Sequence, residues 1–141
     1  MFILKKILNS STPTPECVRV KIVDTQSFAK GMPICENGDG RYKNMQAGDE
    51  VSYMTLEDVD KGEREDILCY PIRPDMIFSA IANEDLTGTA PGSTADLNCC
   101  DAGYFCLVAP NPTRHEVIVV NNCGAKHFGD KVLVKFNNIK K

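Results

Sequence analysis

Nine thiol and imidazole side chains in this sequence could bind a zinc ion or take part in nucleophilic catalysis. They are seven cysteines and two histidines: Cys17, Cys35, Cys69, Cys99, Cys100, Cys106, Cys123, His115 and His127. A structural zinc site takes paired ligands about two residues apart on tight turns. No Cys-x-x-Cys pair occurs, so a zinc site would need distant segments to converge. The candidates for such a site are Cys99, Cys100, Cys106, Cys123 and His127. We expect no metal-binding residue and no cofactor.

The thiols are expected to be reduced and mostly buried. Their number is odd, and the lysines inside the apolar segment 1–8 argue against a cleavable secretion signal. Buried free cysteine behaves as a small hydrophobic residue. Four cysteines are therefore predicted to be core residues on strands: Cys17, Cys35, Cys69 and Cys106. The Cys99-Cys100 pair is predicted to lie in a turn and to be partly exposed.

The histidines are not placed for catalysis. A serine or cysteine nucleophile needs a histidine base that a third group orients. His115 begins a predicted strand and His127 lies in a predicted hairpin loop, so neither belongs to a nucleophile motif. A glycine-rich phosphate loop and a dinucleotide fingerprint are also absent from the sequence. We expect no catalytic residue and no enzymatic activity.

The acidic run 57–66 begins like a calcium loop, with Asp58 and Asp60 two residues apart. The sixth position of such a loop requires glycine, but Glu63 stands there. The run is therefore interpreted as a solvated loop.

Short strands separated by turn residues make up most of the chain. Segments 32–36 and 41–43 meet at Asn37-Gly-Asp-Gly40, which is typical of a tight β-hairpin. Further strands are predicted at 17–23, 50–56, 67–72, 76–82, 94–97, 104–109, 115–120 and 131–136. In the last of these, alternation places Lys131 and Lys135 outward. No long amphipathic helix is present. The prediction is an all-β fold, a small β-barrel or sandwich of short antiparallel strands with an extended N-terminal arm.

Composition limits the classes of partner. The chain has 141 residues, 43% of them hydrophobic and 25% charged, which is ordinary for one globular domain. A net charge of −3 argues against general nucleic-acid binding. No apolar run approaches the roughly 20 residues of a membrane helix. We predict an N-terminal arm and linker at 1–16 and a β-rich domain at 17–141. The latter is open to subdivision into a barrel-like core at 17–82 and a C-terminal β extension at 83–141.

The arm carries apolar side chains beyond a linker that cannot be helix or inner strand, because the linker contains two prolines among hydroxyl and amide residues. These apolar residues are Phe2, Ile3, Leu4, Ile7 and Leu8. At about 25 cal/mol per Å² of apolar surface, burying them is worth several kcal/mol. They are expected either to fold back onto this domain or to dock on another chain.

Residues 28–82 resemble the small decoration (cement) proteins of tailed-phage capsids. In those proteins a Gly-x-Pro-Val strand meets a glycine turn, as Gly31-Met-Pro-Ile34 does ahead of residues 37–40 here. A strand, an acidic connector and a return strand follow, as in 47–72. Ser52-Tyr-Met54 departs from the small Gly-Val-Ala that is common there, and the seven cysteines are a second departure. The segment 85–136 resembles extensions of some phage head proteins more loosely.

This resemblance implies a structural virion protein that binds the outside of a phage head and stabilises contacts between major capsid subunits. The implied partners are the major capsid protein and neighbouring copies of the chain, with a homotrimer as one arrangement, but neither nucleic acid nor membrane. The chain would be made in the host bacterial cytoplasm and located on the capsid surface. The candidate capsid contacts are the loops 57–66 and 83–101 and the arm residues Phe2, Ile3, Leu4, Ile7 and Leu8.

Three alternatives remain open at this point. Within the virion, a head–tail adaptor or minor tail protein fits the same features. A co-chaperonin-like barrel is suggested by Gly129-Asp-Lys-Val-Leu-Val134, which resembles one strand of those proteins. A zinc-binding module or thiol enzyme would use the cysteines and histidine between 99 and 127.

Overall fold

A computed structural model describes residues 1–8, 15–100 and 105–141. The described ranges contain eleven strands. They are β1 (Ile3–Ile7), β2 (Val18–Lys21), β3 (Pro33–Glu36), β4 (Tyr42–Asn44), β5 (Tyr53–Thr55), β6 (Asp66–Pro71), β7 (Met76–Ala82), β8 (Thr94–Cys99), β9 (Cys106–Ala109), β10 (Val117–Asn121) and β11 (Lys131–Phe136). The all-β prediction is confirmed. Three predicted features lie partly outside the described residues. They are the linker (at 9–14), the contact loop 83–101 (at its end) and the 104–109 strand (at its start). Within the described ranges, no helix has the length and apolarity to cross a membrane.

Strands β7 to β11 form a closed ring, the C-terminal barrel. Antiparallel neighbours run in the order β7-β11-β10-β8-β9, and a parallel pairing of β9 with β7 closes the ring. The closing pairs are Ile81 with Leu107 and Ala82 with Val108. Strand β1 adds to the same edge of β7 further along, where Ile3 pairs with Ser79 and Ile7 with Met76. The predicted arm is therefore an additional strand of this sheet.

Strands β2 to β6 form the N-terminal barrel, in the order β2-β6-β5-β3-β4. Its two edges meet at a parallel bridge between Ile22, which directly follows β2, and Tyr42 of β4. The predicted β3–β4 hairpin is confirmed, with Asn37 N donating to Arg41 O at 2.9 Å. Gly38 and Gly40 both have positive φ in this turn, as the Asn-Gly and Asp-Gly pairs predict.

Both barrels have the same strand connectivity. In each, the first strand pairs antiparallel with the fifth and parallel with the third, and the second pairs with the third and fourth. The loops correspond too. Phe28 exchanges two backbone hydrogen bonds with Val59, and Leu86 N donates to Ala125 O at the equivalent place in the C-terminal barrel. The chain thus contains an internal structural repeat, made of two five-stranded units.

A shared core joins the two units. The larger hydrophobic cluster includes Met32, Met54 and Tyr70 of the N-terminal barrel together with Phe78 and Phe136 of the C-terminal barrel. A smaller cluster lies inside the N-terminal barrel and consists of Ile22, Val23, Phe28, Ile34, Val59 and Ile67. The chain passes from one barrel to the other between β6 and β7. The predicted divisions 1–16, 17–82 and 83–141 concern separable parts of the chain and stay predictions.

Candidate binding surfaces

The N-terminal arm folds back onto its own chain, the first of the two expected arrangements. Hydrogen bonds hold both ends of β1: Phe2 N donates to Gly31 O at 2.8 Å, and Leu8 N donates to Asp75 O at 2.8 Å. The Phe2 ring packs against Phe136 with centroids 5.1 Å apart. Phe2 is 3% exposed because this ring enters the shared core. The arm is therefore anchored by an aromatic side chain as well as by strand pairing.

Gly31 makes this anchoring sterically possible. Its φ is +77°, a left-handed conformation that glycine adopts without strain. A Cβ atom at this position would lie 2.3 Å from the Cγ atom of Met1 and 3.1 Å from the carbonyl oxygen of Phe2. Only a residue without a side chain lets the arm approach the β2–β3 connection so closely.

The five candidate contact residues of the arm have different environments. Phe2 and Ile7 are buried in the core of this chain and have little surface to offer a partner. Leu4 and Leu8 are half-buried, and Ile3 is 44% exposed. A cleft of about 410 Å³ lies beside the arm, and Leu56 of the N-terminal barrel is part of its wall. Capsid contact through this region stays a prediction.

The acidic loop 57–66 is tied to its own barrel by ion pairs. Glu57 Oε1 accepts hydrogen bonds from the guanidinium groups of Arg19, at 3.2 Å, and Arg64, and from the backbone N of Leu68 at 2.9 Å. The Leu68 backbone bond, helped by both arginines, holds the pKa of Glu57 below its usual value against the opposing effect of desolvation. Part of the loop's negative charge is therefore neutralised within the chain.

The end of loop 83–93 leads into β8, which carries the buried carboxylate Asp96. Its oxygens accept hydrogen bonds from the backbone N of Thr113 (3.0 Å), Arg114 (2.9 Å) and His115 (2.8 Å). Burial raises the pKa of Asp96, but these three donors together with the Arg114 charge outweigh burial and leave the pKa below its usual value. Asp96 thereby fixes the turn that precedes β10, in which Asn111 and His115 have positive φ.

Glu116, the next carboxylate along the chain, connects the two barrels. It is 1% exposed, and its Oε1 atom accepts from Leu97 N and from Arg114 Nε, both at 2.9 Å. The Oε2 atom accepts from the backbone N of Gly48 in the N-terminal barrel at 3.0 Å. A buried carboxylate with all these donors is satisfied, so its role is structural rather than that of a vacant ligand.

The cysteine predictions are partly wrong. Cys99 and Cys106 form a disulfide, because they face each other across the β8–β9 pair. Cys99 therefore lies on a strand rather than in a turn, and neither sulfur is a thiol, although Cys106 is buried on β9 as predicted. Cys17 is exposed instead of buried, since it precedes β2 at the rim of its barrel.

The predictions for Cys35 and Cys69 are confirmed, because both are buried on strands. Burial raises the pKa of each thiol to about 12, and for Cys35 the neighbouring Asp49 carboxylate adds to the effect. In the ranges 1–8, 15–100 and 105–141, no three His, Cys, Asp or Glu side chains are grouped in a way that could hold a metal ion.

A basic surface on the C-terminal barrel was not found from the sequence. It is the outward side of the adjacent strands β1, β7, β11 and β10, and we call it the lysine face. Its outward lysines are Lys6, Lys131 and Lys135, and its outward aliphatic residues are Ile3, Ile77, Ile81, Leu133 and Ile118. The alternation in β11 predicts Lys131 and Lys135 outward, which is confirmed. Their neighbours come from strands far away in the sequence.

Comparisons with known proteins give the fold. No protein-family model matches this chain, and no curated protein matches it. A solved structure that is similar to it is described as "The crystal structure of head fiber gp8.5 N base in bacteriophage phi29". The match covers 89% of this chain and 98% of that one, with 18% sequence identity and a TM-score of 0.53. At this identity, the likeness shows that the two chains share a fold.

Proposed function

We propose that this protein is a structural component of a tailed-phage virion, a capsid decoration (cement) protein that binds the outside of the head. It performs no reaction in this proposal and takes no cofactor. Its partners are the major capsid protein and neighbouring copies of itself. The observation that carries the proposal is the likeness to a head fibre base over 89% of this chain and 98% of that one.

The architecture supports a binding role. Two barrels that share a core make a rigid body, and a rigid body can contact several capsid subunits at once. Weak contacts on one rigid body reinforce each other through effective concentration. In the described part of the chain, the two largest apolar clefts, beside the arm and beside Ile118, are lined without a histidine. This arrangement is what a protein that ties subunits together requires.

The likeness to a fibre base favours a second candidate within the same class. The protein described as "head fiber gp8.5 N base" is, by that description, the base of an appendage. This chain would then attach a further protein to the head, instead of only reinforcing the shell. Decoration predicts many copies spread over the lattice, whereas a fibre base predicts a second protein bound to each copy.

Binding to heads tests the proposal directly. Purified chain is mixed with heads assembled from the major capsid protein of the same virus, sedimented, and located by cryo-electron microscopy. We expect saturable binding on the outer surface and a higher disassembly temperature of the decorated heads. Heads that sediment without the chain at micromolar concentration would contradict the proposal. Density at the portal vertex alone would assign the chain to the head–tail connection instead.

A further inference from the structure

The four adjacent strands of the lysine face contain no acidic residue. Their sequences are Ile-Leu-Lys-Lys-Ile (β1), Met-Ile-Phe-Ser-Ala-Ile-Ala (β7), Lys-Val-Leu-Val-Lys-Phe (β11) and Val-Ile-Val-Val-Asn (β10). Within the described part of the chain, none of the salt bridges involves Lys6, Lys131 or Lys135. A chain with net charge −3 thus has one sheet surface whose positive charge is not neutralised internally.

Lysines and aliphatic side chains alternate across this surface. Lys6 pairs with Ile77, and Lys135 pairs with Ile118 on the opposite side of Ile77. The resulting row crosses four strands as Lys6, Ile77, Lys135 and Ile118. Ile77, Lys135 and Ile118 are half-buried, so the row is an aliphatic strip interrupted by the ammonium groups of lysines.

A cleft of about 450 Å³ lies at the end of this row. Ile118, Pro74 and Ile139 give it an apolar wall, and Lys135 and Lys141 contribute the positive charge. Binding interfaces commonly gain most of their affinity from one side chain that fills such a pocket while charges around it set orientation. The cleft suits an aliphatic or aromatic side chain that has a carboxylate next to it.

The chemistry of the face favours an acidic protein surface over other occupants. Phosphate backbones would pair with the lysines but would leave the aliphatic strip without an apolar partner. Two copies of the face placed against each other would bring lysines opposite lysines, which is unfavourable. A protein surface with carboxylates around apolar side chains satisfies both halves of the pattern.

We propose that the lysine face is the surface that docks on the capsid shell, against an acidic surface of the shell protein with apolar side chains at its centre. This inference rests on the proposed function and goes further by assigning one side of one barrel to the contact. The N-terminal barrel and its ion-paired acidic loop are not part of this contact.

A charge-reversal pair tests the assignment. The variant K6E/K135E reverses the two lysines beside Ile77, and K21E/R41E makes the same change in charge at exposed positions of the N-terminal barrel. Binding of each variant to heads of the same virus is measured by co-sedimentation at low and at physiological salt. We expect K6E/K135E to bind about tenfold or more weakly and to lose most of the salt dependence. The K21E/R41E variant should bind within about twofold of the wild type.

Each outcome decides a different point. If both variants bind heads equally weakly, or if neither binds more weakly than the wild type, the lysine face is not the docking surface. Binding of the wild type to heads would still support the proposed function. A wild-type chain that does not bind heads overturns the proposed function and the face together. If K6E/K135E does not fold, the neutral K6Q/K135Q variant replaces it, with a loss of at least about threefold expected. Binding of the wild type to double-stranded DNA or to phosphatidylglycerol vesicles, lost in K6E/K135E, would assign the face to another occupant. A salt-sensitive dimer of the chain, also lost in that variant, would do the same.

Discussion

The N-terminal barrel closes at the bridge between Ile22 and Tyr42, whereas the C-terminal barrel closes through a parallel ladder that pairs Ile81 with Leu107 and Ala82 with Val108. The C-terminal barrel also has a disulfide between its second and third strands. Among the described residues of the N-terminal barrel the cysteines are free, and Cys35 on β3 is a buried thiol. The same strand connectivity is therefore closed by a parallel ladder and reinforced by a disulfide in the C-terminal barrel, and is closed by a single bridge in the N-terminal barrel.

The two barrels also differ in where their charges lie. In the C-terminal barrel, Asp96 and Glu116 are buried and bind backbone N–H groups. The N-terminal barrel places its ion pairs on the outside, where Arg19 contacts Glu57 and Asp66. Exposed ion pairs contribute little to stability, about 0–1 kcal/mol each. We infer that the C-terminal barrel is the more stable unit and that the N-terminal barrel depends on the interface with it.

The contact between Glu116 and Gly48 offers the strongest way to break this dependence. Glu116→Ala leaves the N–H groups of Leu97 and Gly48 and the Arg114 guanidinium without their shared acceptor. Removing one partner of a buried charged network costs about 3–5 kcal/mol in the free energy of unfolding. Urea unfolding followed by circular dichroism measures this loss.

The matched control is Glu50→Ala, because Glu50 directly precedes the buried Val51, as Glu116 precedes the buried Val117, but is itself exposed. Its effect should stay within about 0.5 kcal/mol. If both variants unfold at the same urea concentration, Glu116 does not couple the barrels. If hydrogen exchange in Glu116→Ala speeds up in the C-terminal barrel before the N-terminal one, the proposed order of stability is wrong.

The arm gives a second comparison, since it belongs to the C-terminal sheet but touches the N-terminal barrel at Gly31. Phe2→Ala removes the ring that packs against Phe136 and should lower the free energy of unfolding by about 3 kcal/mol. Ile3→Ala truncates the exposed neighbour and should cost less than about 1 kcal/mol. Hydrogen exchange at β1 should become fast in Phe2→Ala alone. Slow exchange there would show that strand pairing with β7 suffices to hold the arm.

Local features of the fold could be predicted from the sequence. The Asn37-Gly-Asp-Gly40 turn places glycines at the two positions that have positive φ, and the alternation in 131–136 separates Val132 and Val134 from Lys131 and Lys135. Both predictions are confirmed because the forces involved act within a few residues. The absence of a helical periodicity likewise predicted the all-β class.

Non-local features could not be predicted in this way. The pairing of Ile3 with Ser79, the Cys99–Cys106 disulfide and the burial of Glu116 depend on segments that meet only in the folded chain. A glutamate between His115 and Val117 looks solvated in the sequence, because its N–H donors come from Leu97 and Gly48. For the same reason only the outward lysines of β11 could be predicted, and not their neighbours in the lysine face on β1, β7 and β10.

Acid should destabilise the C-terminal barrel through Asp96. Its pKa in the folded chain lies below the unfolded value, because the N–H groups of Thr113, Arg114 and His115 and the Arg114 charge outweigh burial. A lowered pKa means that this contribution to stability is complete above the unfolded value of about 4 and is lost as the pH falls through the folded value. Asp96→Asn cannot accept all of these bonds, so it should be less stable than the wild type near neutral pH, and the difference should shrink below about pH 4.

Asp85→Asn is the control for this titration, since Asp85 is exposed and its lowered pKa comes chiefly from Thr87 two residues away. Its stability difference from the wild type should be small at every pH. Urea unfolding of the three proteins between about pH 7 and pH 3 measures these differences. A constant gap between the wild type and Asp96→Asn across that range would mean that the Asp96 charge does not hold the 113–115 turn. The contrast between a barrel with buried carboxylates and one with external ion pairs would then not extend to their response to acid.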